Sequence, residues 1–337
     1  MKLEKILLSH GSGGKLTHSL IRDLFLEEFR NPILESLGDS ATFNISETRL
    51  AFTTDAYVVD PIFFPGGDIG RLAICGTVND LAMSGARPLY LSASFIIEEG
   101  LSKTDLKRIV GSMRQAADEA DVQVVCGDTK VVAKGAADKI FITTSGIGLI
   151  PDGVEISPAR IRPGDQIILS GSIGDHGIAI LSKREGLAFQ TEITSDVAPL
   201  NHLVRAMLSE AGDGIHVLRD PTRGGLATTL NEFVEGTGVG LRIYEDRLPV
   251  SDSVRGACEL LGFDPIYVAN EGKLVAIASK DSTEKILACM RKNDYGKEAE
   301  IIGEVTREPR GTVSLVTRIG GTRIVDMLTG EQLPRIC

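Results

Sequence analysis

Residues 138–171, DKIFITTSGIGLIPDGVEISPARIRPGDQIILSG, decide the fold. A β-branched apolar run ends at residue 150 and a second begins after Asp165, and both runs favour strands. Prolines and glycines interrupt the residues between them, 151–165, and such punctuation is typical of a linker. The stretch therefore predicts a boundary between two domains, with a new unit beginning near Asp165.

The length of the chain agrees with two domains. Its 337 residues exceed what one ordinary core holds and suit two cores of roughly 150 residues each. The net charge of −10 argues against general affinity for nucleic acid or anionic membranes, which need clustered lysine and arginine. No uncharged apolar run approaches the roughly 20 residues of a membrane span, and the start, MKLEKILLS, is too short and charged for a secretory signal. We expect a cytoplasmic protein.

Strand-like and helical patterns alternate in both halves, which predicts an α+β fold in each domain. Ser102 is expected to cap a helix over residues 102–120. A hairpin is expected around Glu271. The remaining predicted strands cover residues 48–60, 88–99, 121–132, 138–150 and 166–171, and the remaining predicted helices cover residues 176–184, 201–210 and 226–236 and begin near residue 281.

The five cysteines are widely spaced and form no C-x-x-C pair, so we expect neither a disulfide framework nor a zinc site. Four of them lie in apolar patterns and are predicted to be core thiols: Cys75, Cys126, Cys258 and Cys289. The fifth, Cys337, is the last residue of the tail GEQLPRIC. An exposed thiol meets oxidants and brings no packing benefit, so a terminal cysteine indicates a function.

Four aspartates share one kind of setting, an apolar run with a small residue beside the carboxylate: Asp39, Asp55, Asp80 and Asp128. One aspartate at a strand end is usually a turn or cap residue. Several of them at the ends of strands of one sheet can converge, and convergent carboxylates hold Mg²⁺ against nucleotide phosphates.

Two glycine-containing stretches have the composition of anion sites. SHGSGGKLTH places Gly13, Gly14 and Lys15 ahead of a helix expected from Thr17, where backbone N–H groups can approach phosphates. It does not match the P-loop pattern, and a mobile terminus is the plain alternative. LRDPTRGGLATTLNE joins Arg219 and Arg223 to a helix start, which is either an anion site or a salt-bridged turn.

VANEGKL places Asn270 and Glu271 between apolar runs. A partly desolvated glutamate there can have a raised pKa and act as a base, although such a residue more often lies in a turn.

In this order, the motifs resemble those of the AIR synthase-like (PurM-like) ATP-dependent superfamily over nearly the whole chain, from HGSGGK to EVT. The ending PRIC resembles the branch of that superfamily that matures nickel-iron hydrogenases. The resemblance implies a two-domain fold, with an N-terminal sheet domain that pairs into a dimeric β-barrel and a C-terminal α+β domain. It divides the chain into a glycine-loop segment, an ATP-binding domain, a C-terminal domain and an extension with a mobile tail: residues 1–40, 41–152, 162–308 and 309–337.

The resemblance also implies residue roles. The four aspartates would hold Mg²⁺ and ATP, Gly13, Gly14 and Lys15 would cover the phosphates, and Arg223 and Asn270 would contact the nucleotide. Cys337 would carry the reacting group and Glu271 would be the base. Lys134 would assist at the oxygen, although a solvated loop lysine is its plain alternative.

The implied activity answers why the chain ends in a thiol. A carbamoyltransferase, HypF-like, would load a carbamoyl group onto Cys337, and ATP would drive its dehydration to a thiocyanate. An iron-scaffold complex, HypC/HypD-like, would accept the cyanide. Two alternatives stay open: another phosphoryl-transfer enzyme of the superfamily, which needs no terminal thiol, or a non-catalytic ATP-bound scaffold.

Overall fold

The computed structural model describes residues 5–187, 193–330, 333 and 335–337. The strands are β1 Ala41–Ile45, β2 Thr48–Tyr57, β3 Phe63–Phe64, β4 Gly67–Asp68, β5 Arg87–Glu98, β6 Gln123–Val132, β7 Ile140–Leu149, β8 Gln166–Leu169, β9 Ile215–Arg219, β10 Gly240–Tyr244, β11 Val275–Ala278, β12 Glu300–Thr306, β13 Val313–Val316 and β14 Thr322–Val325. The helices are α1 Lys15–Leu20, α2 Leu26–Phe29, α3 Ile69–Met83, α4 Lys103–Ala120, α5 Asp175–Glu185, α6 Asn201–Ala211, α7 Gly225–Val234, α8 Asp252–Leu261 and α9 Lys280–Met290.

The first domain is a sheet with helices on one face. Within the described residues its order is β1-β2-β7-β5-β6, antiparallel except for the parallel pair β5 and β6. Burial alternates along β7, as expected for a sheet with one covered face. The predicted strands of this domain are confirmed, and Ser102 caps α4 by accepting a hydrogen bond from the Thr104 N–H.

The helix α3 lies against this sheet and was not expected from the sequence. Nearly all of its residues are buried, so the segment lacks the polar stripe that reveals a surface helix. Its neighbour α4 packs closely against it at Gly70, where a Cβ would lie 2.5 Å from the Ile109 carbonyl oxygen. Asp80 therefore lies on a helix, and its expected strand-end position is wrong.

The expected strand-end positions of Asp55 and Asp128 are also wrong, since both lie within strands, β2 and β6. The strand β6 is at the edge of the sheet and is almost wholly exposed. Cys126 on this strand is exposed, contrary to the expectation of a core thiol, whereas Cys75 and Cys258 are buried and Cys289 is half-buried. Alternating apolar residues do not distinguish a covered strand from an edge strand.

The second domain contains a mixed sheet. Within the described residues its order is β14-β13-β10-β12-β8-β11-β9, so residues 313–325 of the expected extension add two strands to it. Leu203 of α6 and Ile286 of α9 pack in one core cluster with Met83 from the end of α3. Because this cluster includes residues of both domains, the two sheets are held in a fixed relation.

The hairpin expected around Glu271 is wrong. Residues 268–274 form a loop, and the strand that follows, β11, pairs with β8 and β9 instead. The Asn270 side chain accepts from the Gly174 N–H and donates to the carbonyls of Pro221 and Val268. Because this one amide engages the backbone of three segments, the loop is fixed without strand pairing. None of the helices in the described ranges combines the length and hydropathy that crossing a membrane requires.

The turn that enters α7 requires glycine. Gly225 has φ +60°, and a Cβ there would lie 2.7 Å from the carbonyl oxygens of Ile266 and Val268. We expect Gly225→Ala to lower the free energy of unfolding by at least about 1–2 kcal/mol, since a left-handed non-glycine residue alone costs that much. Urea denaturation of the variant measures this loss.

Gly111→Ala is the matched control. Gly111 lies within α4 and no atom lies within 4 Å of an added Cβ. The same substitution should stabilise the protein there by up to about 1 kcal/mol, because alanine is the better helix former. Equal effects at the two positions would contradict this account of the turn.

Candidate active site

A cluster of charged side chains lies where the two domains meet. The strand β2 supplies Asp55 and the helix α3 supplies Asp80. The segment after β9 supplies Asp220, and the loop before β11 supplies Glu271. One cavity of about 30 Å³ is lined by all four of these carboxyl groups together with Tyr57, Arg223 and Cys337. The terminal cysteine of the chain thus lies inside the acidic cluster.

A side-chain hydrogen bond from Thr53 holds the Asp80 carboxylate of the first domain. The Thr53 hydroxyl, two residues before Asp55 on β2, is 2.9 Å from both Asp80 Oδ2 and the Asp39 carbonyl oxygen. Tyr57 is buried beneath them, and a Cβ on Gly76 would lie 2.3 Å from its hydroxyl. The absence of a side chain at Gly76 therefore leaves space for the Tyr57 hydroxyl at the base of the cavity.

Burial and mutual repulsion hold protons on the cluster. The pKa of Glu271 is raised well above its usual range, first by burial and then by Asp220 and other carboxylates. The pKa of Asp80 is raised well above its usual range for the same reasons. Burial, followed by the charge of Asp39, raises the pKa of Asp220 to about 8. The pKa of Asp55 is also raised, mainly by burial. A site of this kind favours bound cations or protons.

The thiol of Cys337 and the Glu271 carboxyl group line the same small cavity. Burial raises the pKa of this thiol strongly, and Glu271 raises it further, against the opposing charge of Arg223. The docked sulfur is therefore the protonated thiol at neutral pH. Glu271 Oε1 is buried and has no hydrogen-bond partner among the described residues, so one oxygen remains available to a group attached to the sulfur.

The described part of the tail is docked against the first domain, and its mobility stays a prediction. The Val58 N–H donates to the Cys337 carbonyl oxygen and the Asp60 N–H donates to that of Arg335, at 3.2 and 3.1 Å. The Arg335 guanidinium donates to the Val58 carbonyl oxygen and pairs with Asp138. The Ile336 side chain joins the core of the first domain. Backbone pairing of this kind depends little on side-chain pattern, so the sequence did not reveal it.

The glycine loop lies beside the tail and Arg223. A Cβ on Gly13 would lie 2.9 Å from Arg223 Cβ, and one on Gly14 would lie 2.3 Å from the Leu328 carbonyl oxygen. The Arg223 guanidinium donates to the Gly11 carbonyl oxygen. The helix α1 begins at Lys15, two residues before its expected start, and the Lys15 side chain is exposed. The predicted phosphate loop and the acidic cluster are thus neighbours.

Of the two alternatives for the second glycine stretch, Arg219 takes the salt-bridged one. Its guanidinium pairs with Asp39 at 3.0 Å and with Glu232 on α7. Two carboxylates satisfy its charge, so it is a structural tie between β9, α7 and the segment before β1. Glu232 also pairs with His18 at 3.1 Å, which attaches the glycine-loop segment to the same network.

Three predicted site residues lie apart from the cluster. Asp128 lies two strands beyond β7, on the exposed edge β6, and pairs with Lys130, so a single chain does not bring it to the other three aspartates. Lys134 is exposed on the loop whose Asp138 contacts the tail. Asn270 is buried and its amide is engaged by the backbone beside Glu271, and its contact with a nucleotide stays a prediction.

Sequence reasoning missed two residues of the site. Asp220 stands in the LRDPTRGG stretch, where only the arginines were given a role. Tyr57 lies two residues after Asp55 on the same face of β2, and the period-two rule for strands was the signal that could have found it.

No three histidine, cysteine, aspartate or glutamate side chains in the described ranges converge closely enough to form a metal cage. Mg²⁺ commonly takes only one or two protein carboxylates and completes its shell with water and phosphate oxygens. The repelling carboxylates Asp39, Asp55 and Asp80 fit that second arrangement. They would give such an ion one or two carboxylate oxygens, and water and phosphate oxygens would complete its shell.

Comparison with known proteins decides the family. The models for the N-terminal and C-terminal domains of AIR synthase related proteins match residues 37–150 and 162–316. The carbamoyl dehydratase HypE of Bradyrhizobium diazoefficiens is 54% identical over 330 residues, which cover 98% of this chain and 95% of that protein. The chain belongs to the HypE family of carbamoyl dehydratases. The expected AIR synthase-like two-domain fold is confirmed by the same matches.

Solved HypE structures agree with this placement. A HypE–HypF complex contains a chain 51% identical to this one, with a TM-score of 0.88 and coverage of 92% of this chain and all of the other. A HypE structure in complex with ATP is 52% identical, with a TM-score of 0.83 and coverage of 99% and 100%. The chain therefore has the fold of solved HypE structures.

The raised pKa of Asp220 predicts a pH-dependent stability. Between its unfolded pKa near 3.8 and its folded pKa of about 8, the folded state keeps a proton that the unfolded state has lost, so stability falls as pH rises through that window. Asp220→Asn removes the titrating group. As pH rises, the free energy of unfolding of the variant should increase relative to that of the wild type by up to about 1.4 kcal/mol per pH unit. Urea denaturation from pH 5 to 8, without nucleotide or Mg²⁺, measures this difference.

Asp128→Asn is the control for that experiment. Hydrogen bonding and charge from Lys130 lower the pKa of exposed Asp128, so it is ionised in both states throughout the window. The difference between this variant and the wild type should stay constant with pH. A constant difference for Asp220→Asn as well would contradict the proton assigned to that carboxyl group.

Proposed function

We propose that this chain dehydrates a carbamoyl group carried on its own Cys337, with Glu271 as the base, and so supplies cyanide for the iron centre of a nickel-iron hydrogenase. The observation that carries the proposal is that the terminal thiol and a buried glutamate line one small cavity within the acidic cluster. Membership of the HypE family supports the reaction type. The local geometry supports the residue roles.

The reaction removes one oxygen and two protons from a sulfur-bound carboxamide. An amide oxygen is a poor leaving group, so ATP transfers its γ-phosphoryl group to that oxygen and leaves as ADP. Loss of both N–H protons then breaks the carbon–oxygen bond, and the products are the thiocyanate on Cys337 and inorganic phosphate. Each step needs the carboxamide close to a base and to the transferred phosphoryl group.

Glu271 is placed to accept those protons. It lies beside the sulfur and is buried, so a carboxamide on the sulfur would enter its immediate surroundings. Its raised pKa favours the protonated acid when the site holds no other cation. Each positive charge that enters lowers that pKa towards neutrality, where a general base works best. The base would thus be readied only when the other substrates are in place.

Positive charge for the phosphoryl group would come from Arg223, Lys15 and Mg²⁺. Asp39, Asp55 and Asp80 would hold Mg²⁺ together with the phosphate oxygens, and the ion supplies charge neutralisation at the transferred group. Gly13 and Gly14 would let the backbone approach the phosphates beside Arg223. Lys134 would join at the amide oxygen if its loop, which already contacts the tail through Asp138, moves closer.

A homodimer would complete this picture. The uncovered face and edge of the first sheet expose apolar side chains, among them Phe52, Ile96, Val125 and Val131. Large apolar side chains exposed together favour a partner surface, and a second copy of the sheet closing a shared barrel would cover them. Asp128 lies on that edge strand, so the partner copy would bring its carboxylate within reach of a site.

Two further partners follow from the terminal thiol. A HypF-like carbamoyltransferase would load it, which the solved complex of a HypE relative with HypF supports. A HypC/HypD-like iron scaffold would accept the cyanide. Both need access to sulfur, so the docked tail must leave its groove between loading and delivery.

The decisive experiment treats the purified protein with cyanate to carbamoylate its thiols, adds ATP and Mg²⁺, and follows the C-terminal peptide by mass spectrometry. We expect the Cys337 peptide to lose the mass of one water as ATP is consumed. Glu271→Gln keeps the size of the side chain but removes the base, and should slow this loss by about 10²- to 10⁴-fold.

Cys337→Ala is the control for the site of reaction and should show no water loss. Persistence of the carbamoyl group while ATP remains intact would favour a non-catalytic scaffold instead. Rapid dehydration in Glu271→Gln would keep the activity but remove Glu271 from its role.

A further inference from the structure

Residues 195–198, a short segment between α5 and α6, contact the backbone of the candidate base. Asp196 Oδ1 accepts a hydrogen bond from the Glu271 N–H at 3.1 Å. The Ala198 N–H donates to the Glu271 carbonyl oxygen at 3.5 Å, and Asn79 Nδ2 donates to the same oxygen at 3.4 Å. The main chain of Glu271 is thus held on both sides, mainly by this segment.

The same segment reaches the tail through one histidine. His176 lies on α5 with its ring buried, and its Nε2 is 2.9 Å from the Ile336 carbonyl oxygen, the peptide that precedes Cys337. A carbonyl only accepts, so Nε2 carries the proton and Nδ1 is left as an acceptor. Ser195 Oγ, 2.7 Å from Nδ1, therefore donates to it. The Val197 N–H in turn donates to Ser195 Oγ at 3.1 Å.

Close packing leaves the segment little freedom. A Cβ on Gly272 would lie 1.8 Å from the Asp196 carbonyl oxygen, and one on Gly66 would lie 2.6 Å from that of Ser195. The Ser195 N–H donates to the Pro65 carbonyl oxygen, and Arg71 Nε donates to that of Val197. Close approach at two glycines and two hydrogen bonds to its backbone groups thus hold the segment 195–198 between the first domain and the Glu271 loop.

We propose that residues 195–198 form a positioning bridge that fixes Glu271 at one end and, through Ser195 and His176, the Cys337 tail at the other. The bridge sets the distance between the base and the group on the sulfur. The inference rests on the proposed function for the roles of Glu271 and Cys337. Ser195 and His176 are positioning residues, since neither touches the reacting atoms.

Alkylation of Cys337 tests the hold on the tail without any turnover. The docked thiol is protonated and slow to react, so iodoacetamide reports the undocked fraction, read as peptide masses over time. Ser195→Ala and His176→Leu should each speed labelling about fivefold, the change that loss of one hydrogen bond of about 1 kcal/mol produces. His176→Gln keeps a donor where Nε2 lies and should label near the wild-type rate.

Two controls accompany this comparison. Half-buried Cys289 on α9 is labelled in the same sample and should keep one rate in every variant. Ser209→Ala makes the same substitution on α6, where the serine hydroxyl donates to the Arg205 carbonyl oxygen of its own helix, and should leave Cys337 labelling unchanged. Folded Ser195→Ala and His176→Leu variants that both label at the wild-type rate would overturn the bridge.

The second readout is the single-turnover dehydration rate of carbamoylated Cys337. Ser195→Ala and His176→Leu should lower it severalfold and leave the KM for ATP unchanged, and His176→Gln should restore it. Faster labelling with an unchanged dehydration rate would overturn the positioning role. Rapid dehydration in Glu271→Gln would instead overturn the proposed base, while the labelling comparison would still decide whether the segment holds the tail.

Discussion

Repulsion among buried carboxyl groups is the constraint on which the site depends. Asp55, Asp80, Asp220 and Glu271 line one small cavity, and among the described residues that line it the positive group is Arg223. Such an arrangement persists only because the surrounding fold is strong enough to hold it, and charge left unbalanced in a folded protein is a common sign of a binding or catalytic site. Arg219, which could have relieved the cluster, is instead committed to Asp39 and Glu232.

The two domains share the task of building this arrangement. The first supplies Asp55 and Asp80 from a strand and a helix that pack tightly on one another. The second supplies Asp220 and Glu271 from the ends of its own sheet, and the Asn270 amide fixes their loops. The core between α3 and α6 holds the two sets in register, so the cluster needs no movement of one domain against the other to assemble.

Much of the fold followed from the sequence because alternating and helical periods record burial directly. The strands from Thr48 to Leu149 and the helix after Ser102 were of this kind. The helix α3 was not predicted because it is buried on all sides, so its sequence does not alternate between apolar and polar residues with the helical period. The site was predicted through Asp55, Glu271 and Cys337, whose neighbours carry recognisable patterns. Asp220 and His176 act through tertiary contacts across the domain junction, and no local pattern encodes such contacts.

The position of Cys337 at the end of its own chain has a kinetic consequence. The substrate thiol is attached to the enzyme, so its effective concentration at the active site is set by the length of the tail. For short flexible tethers this effective concentration is in the millimolar range. Added free substrate would compete with a neighbour that never diffuses away. The rate of the reaction per protein molecule is then independent of protein concentration, and each loading of the tail yields at most one product. Output over time is limited by how often partners can load and unload a single sulfur atom.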